Sequence, residues 1–100
     1  MRQLTVSGID VRTVEQTVGT RVYADGVRYA KQRAVLRMEW DDDEHTLTGL
    51  VRGSSGTFHD AAVYFGADLD GGLHFGLGEC SCPVVADCKH AAALALVAAG

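Results

Sequence analysis

The sequence predicts an α+β fold: an N-terminal helix, an antiparallel β-meander of about four strands, and a helix at the C-terminus. Three observations carry that reading. Val11, Val14, Val18 and Val22 recur at helical spacing. From Val27 onward the apolar period shortens to two, interrupted at intervals by clusters of turn residues. The thirteen residues from Asp87 to Ala99 are dominated by alanine and leucine.

Taken in order, Asp10 is placed to cap a helix beginning near Val11, and "ADG" at 24–26 offers a terminating glycine, so the helix is expected over about 11–24. Gly19 weakens it by about 1 kcal/mol relative to alanine. In "AVLRMEW" (34–40), Ala34, Leu36, Met38 and Trp40 fall on one side, with Arg33, Arg37 and Glu39 on the other. The acidic run "DDDEH" (41–45) reads as a solvated hairpin tip before "TLTGLVRG" (46–53). "GSSG" (53–56) turns the chain into "TFHDAAVYFG" (57–66), and "DLDGG" (68–72) turns it into "LHFGLG" (73–78). The final helix, Asp87 to Ala99, carries no charge after Lys89. A helix that is apolar all round is buried on more than one side. Either the sheet and first helix cover it, or it meets a partner, a second copy, or the remainder of a longer chain.

Bulk properties bound the rest. One hundred residues, 47% apolar and 22% charged with a single proline, make one domain of 1–100 with a modest core. No stretch reaches the roughly 20 apolar residues of a membrane span. The first sixteen residues lack the apolar run of a signal peptide. An odd three cysteines without an export signal point to a reducing cytoplasm rather than a disulfide framework. The net charge of −4 hides a split. Residues 1–37 hold seven basic against three acidic groups, net +4, whereas 38–100 hold two against ten, net −8. Attraction to nucleic-acid phosphate would come from the first third, with Arg28, Arg33 and Arg37 on an outward strand face and Lys89 further on as candidate contacts.

All the sulfur of the cysteines lies in "ECSCPVVADCKH" (79–90), as Cys80-x-Cys82-x5-Cys88-x-His90. Three thiols and an imidazole in so short a span match tetrahedral Zn²⁺. Cys80 and Cys82 can turn both sulfurs inward, and Pro83 stiffens the exit. Cys88 and His90 cannot share one face of a regular helix, because two residues rotate the direction by about 200°. Cys88 is therefore expected at the cap and His90 in the first turn, where the positive helix end also favours a thiolate. Four protein ligands leave no open position for water, so the metal is expected to be structural and the chain not an enzyme. A thioredoxin-like pair would need Cys-x-x-Cys, and a Cys88–histidine nucleophile pair leaves two cysteines unexplained. No phosphate-binding loop is present. "DLDGGLHFGLGE" (68–79) fails as a calcium loop because Leu73 stands where glycine is required. His45, His59 and His74 are scattered and carry no assigned role.

Cys80-Ser81-Cys82-Pro83 followed by Cys88-Lys89-His90-Ala91 resembles the SWIM-type zinc finger, over residues 78–97. More loosely, "GTRVYADGVRYA" and the strands ending at "WDDDEHTLTGLVRG" are similar to the segment preceding SWIM fingers in bacterial proteins. The resemblance implies a ββα-like finger over 78–99 on a helix-plus-meander unit of 1–77, with Zn²⁺ held by Cys80, Cys82, Cys88 and His90. It also implies a binding role, as in modules that accompany Swi/Snf-type ATPases and MuDR-type transposases: contact with protein, or alternatively with DNA or RNA.

Overall fold

The computed structural model of the chain describes residues 4–84 and 86–100. Met1, Arg2 and Gln3 lie outside the described residues, and so does Val85, between the second and third cysteines in sequence. The elements are α1 (Val11–Val18), α2 (Thr20–Lys31), β1 (Val35–Asp41), β2 (Thr46–Arg52), β3 (Phe58–Ala67), β4 (Leu73–Cys80) and α3 (Lys89–Ala99). The α+β class, the four-stranded antiparallel meander and the C-terminal helix are all present, the sheet in the order β1-β2-β3-β4.

The N-terminal helix departs from the expected 11–24. Asp10 does cap α1, accepting from the Arg12 N–H at 3.1 Å, and the Arg12 guanidinium beside it holds its carboxyl below the usual range. The break comes at Gly19, whose φ of 90° and ψ of 161° end one helix and start the next. Helix α2 then runs through the supposed stop at Gly26 to Lys31. It closes with the Ala34 N–H bonded to Tyr29 O and the Arg33 N–H to Ala30 O. These are the two bonds of a Schellman cap, with Arg33 at φ 58° in the seat usually held by glycine. The residues Val27 to Lys31 are therefore helical rather than the start of the period-two segment, and Gly26 and Tyr29, three apart, face the same buried side as helical spacing requires.

The strands follow the hydrophobic pattern with one irregularity. A bulge between Val35 and Arg37 shifts the register, so Val35, Met38 and Trp40 pack against the core and Arg37 and Glu39 face outward. The inner face of the sheet carries Leu47, Val51 and Val63, each 0% exposed, with Phe65 and Phe75 beside them. At the acidic tip, the Asp41 carboxylate accepts from the N–H groups of Asp43 and Glu44. It is a turn stabilised by its own side chain, as the reading of a solvated hairpin requires.

Helix α3 lies between the sheet and α2, with α1 at its flank. A Cβ on Gly49 of β2 would come 2.5 Å from Leu94, one on Gly78 of β4 2.6 Å from Ala91, and one on Gly26 of α2 2.8 Å from Ala92. Ala91 to Ala95 and Ala98 are 0% exposed. The apolar circumference of α3 is thus taken up inside the chain, and Leu96, Val97 and Ala99 remain half-buried. Among the described residues no helix is long and apolar enough to cross a membrane.

Candidate metal centre

Two secondary-structure ends meet to build the site. Cys80 is the last residue of β4 and Cys82 follows in the turn. The turn is held to β3 by the Ser81 N–H bonding to Asp60 O at 3.0 Å and the Asp60 N–H bonding to Ser81 Oγ at 3.1 Å. The returning chain is held to β4 by Asp87. Its carboxylate accepts from the Gly78 N–H, and its own N–H bonds to Gly78 O, both at 2.8 Å. Asp87 makes this pair of hydrogen bonds at φ 49°, a conformation aspartate tolerates better than most residues. The chain then enters α3 with Cys88 as its N-cap and His90 as the second helical residue, the placement that the two-residue spacing demanded.

Cys80, Cys82, Cys88 and His90 are all buried, and their ligand atoms lie within 4.8 Å of one another. None of the cysteines forms a disulfide. His90 turns Nδ1 toward the sulfurs, 3.5 Å from Cys80 Sγ and 3.7 Å from Cys88 Sγ. A tetrahedral first-row ion bound to sulfur at about 2.3 Å and nitrogen at about 2.0 Å separates those two ligands by about 3.6 Å. The two distances from His90 Nδ1 are therefore those of a coordination shell, and the four side chains can hold a metal ion.

The surroundings set the electrostatics. Burial pushes the Cys80 and Cys88 thiols up. Burial, with His59 and Lys89 nearby, pushes His90 down to about 4. In a site without a cation, burial thus favours neutral thiols at Cys80 and Cys88 and neutral imidazole at His90 near pH 7. Metal binding must expel thiol protons while taking none from His90, which is already neutral. Loading at pH 7 is expected to release about two protons or more per site, so affinity rises with pH. Calorimetric titration with metal in two buffers of different ionisation enthalpy measures that release. A release near zero would show that the thiols are not the ligands.

Two residues of the site carry no signal in the sequence. His59, from β3, lies against His90 with ring centroids 4.6 Å apart and planes tilted by 32°, and its Nε2 is 3.2 Å from Thr57 Oγ1. Tyr29, from α2, meets His90 edge-on at 5.5 Å. Both reach the ligand from far along the chain, through contacts that no local spacing marks.

The candidate nucleic-acid residues are placed otherwise than expected. Arg28 is on α2, not a strand, and pairs with Asp25 at 3.1 Å. Arg33 is in the turn after α2, and Arg37 alone is on a strand, β1. The shared strand face fails because α2 extends seven residues beyond its expected end. Lys89 opens α3 with its ammonium 5.2 Å from the Tyr29 ring centroid. Neither a protein-family model, nor a curated protein, nor a solved structure matches the chain.

Proposed function

We propose that this chain is a SWIM-type module whose structural Zn²⁺ joins the end of β4 to the start of α3, and which works by contact with another protein, as an accessory domain of a Swi/Snf-type ATPase would. The observation that carries the reading is the buried Cys80, Cys82, Cys88 and His90 set with coordination-shell spacing. Three thiolates and an imidazole are the donor set that selects zinc among available divalent ions. With four protein ligands the ion has no place for substrate or water, so its contribution is to shape rather than to chemistry.

Charge favours a protein partner over nucleic acid. The chain is −4 overall, and three thiolates outweigh a divalent ion by one further negative charge. Arg28 is already neutralised by Asp25, and the remaining candidate cations are divided among a turn, a strand and a helix start. Elemental analysis of protein purified without added metal is expected to give about one zinc per chain. Titration against duplex and single-stranded DNA at two salt concentrations is expected to give no salt-sensitive binding. Stoichiometric zinc with salt-sensitive DNA affinity would overturn the protein-contact reading and leave the metal reading intact. Absence of bound metal would overturn both.

A further inference from the structure

The two edges of the sheet are treated differently. The outer edge of β4 is occupied along most of its length. Ile9 bridges to Leu73, flanked by the Leu73 N–H bonding to Gly8 O and the Asp10 N–H bonding to Leu73 O. Thr13 Oγ1 accepts from the Phe75 N–H, and the Thr17 hydroxyl donates to Phe75 O. Asp87 takes both backbone groups of Gly78, and Glu79 bridges to Ala86. That edge is closed to any further strand. The β1 edge is open: among the described residues, the backbone of Val35–Asp41 bonds only to β2.

The side chains of β1 show what the open edge fits. Arg37, Glu39 and Asp41 face outward, whereas Met38 and Trp40 lie on the core side, both only half-buried. A two-fold axis normal to the sheet pairs β1 antiparallel with its own copy and keeps the helices of both copies on one side. Five registers put charged residues of β1 opposite one another about such an axis, and among them the one centred on Met38 alone does so without a like-charged pair. Centred on Arg37, it sets Arg37 against Arg37. Centred on Glu39, it sets Glu39 against Glu39 even as Arg37 meets Asp41 of the partner subunit; centred on Trp40, it sets Glu39 against Asp41 of the partner subunit; centred on Asp41, it sets Asp41 against Asp41. Centred on Met38, it sets Arg37 opposite Glu39 of the partner subunit and Glu39 opposite Arg37 of the partner subunit. Opposite charges directly across a strand pair are favourable and like charges are not. The same register brings Met38 to the axis on the inner face, with Trp40 beside it.

We propose that β1 is the seam of a symmetric dimer, in which a second copy of this chain pairs along Val35–Asp41 in the register centred on Met38 to make one continuous eight-stranded sheet. The metal centre lies at the junction of β4 and α3 and takes no part in the seam. Charges on an edge strand ordinarily discourage pairing with unrelated strands, and here the alternation of sign makes the strand selective for itself.

Sedimentation equilibrium of the metal-loaded protein, from about 10 µM to about 1 mM, tests this. The expected result is a rise toward twice the 10.6 kDa chain mass. Arg37→Glu places like charges in both cross-strand pairs and is expected to weaken association about tenfold or more. The double variant Arg37→Glu with Glu39→Arg exchanges the signs, restores both attractive pairs and is expected to recover the wild-type dimer. Both positions are on the outer sheet face, and unchanged circular dichroism and metal content check that each variant folds. A wild-type chain that stays monomeric over the whole range overturns the proposal. So does Arg37→Glu dimerising as wild type does, or a charge-swapped double variant that stays as weak as the single one.

Discussion

Replacing Cys82 with alanine, or stripping the metal with a strong chelator, is expected to abolish the cooperative unfolding transition of the whole chain. The magnitude decides this. Structural zinc contributes an apparent binding energy of about 10–16 kcal/mol, against a total of about 5–15 kcal/mol for a domain of this size. The fold has no reserve elsewhere for that loss. Helix α3 touches all four strands as well as α1 and α2. Its N-terminus carries Cys88 and His90 of the candidate metal site, while Ser81 and Asp87 are tied to Asp60 and Gly78 by hydrogen bonds. Such bonds are worth about 1 kcal/mol each. Loss of the ion also leaves sulfur and imidazole polar atoms in a buried space. Ser81→Ala is the control, because it deletes one bond at the same turn and touches no ligand. It is expected to cost about 1 kcal/mol and keep a cooperative melt. Thermal melts by far-UV circular dichroism with and without chelator, alongside metal content, compare the two. A chelated protein that melts as the loaded one does would refute a structural role for the ion.

The clustering of Cys80, Cys82, Cys88 and His90 could be read from the sequence because its constraints are local. Four donor side chains within eleven residues, with two of them too close for one helix face, leave few geometries, and Cys88 at the cap with His90 in the first turn is the one observed. The strands were legible for the same reason, since Leu47, Val51 and Val63 alternate with solvent-facing neighbours. The misreadings occur where tertiary contact outweighs local preference. Gly26 has the residue type of a helix stop, yet it sits inside α2 because α3 crosses there. Arg33 has no propensity for the left-handed cap it occupies, yet Tyr29 and Ala30 carbonyls are satisfied by it and Ala34. Tyr29 and His59 flank His90 but are about sixty and thirty residues away from it in sequence, where no periodicity applies.

Gly26→Leu is expected to lower stability by about 3 kcal/mol or more, and Gly26→Ala by about 1–2 kcal/mol, against the sign that helix propensity alone would give. In an exposed helix interior, glycine to alanine gains about 1 kcal/mol. At Gly26 the added Cβ would come 2.8 Å from Ala92 Cβ, 3.3 Å from Ala93 N and 3.4 Å from the Ala92 carbonyl carbon. None of those atoms belongs to a flexible side chain that could swing aside, so the two helices must separate. Overpacking of this kind costs about 1–3 kcal/mol for small insertions and rises with size. The displacement also reaches the candidate metal site, because Ala92 bonds through its N–H to Cys88 O and lies two residues beyond His90. A lower denaturant midpoint should therefore be accompanied by weaker metal retention in competition with a chelator. Gly56→Ala distinguishes packing from a generic glycine effect, since nothing lies within 4 Å of that Cβ and its cost comes from φ 82° alone. It is expected to lower the midpoint without altering metal retention. A midpoint that rises in Gly26→Ala would mean that α2 and α3 are free to part, and that the close crossing is not what positions Cys88 and His90.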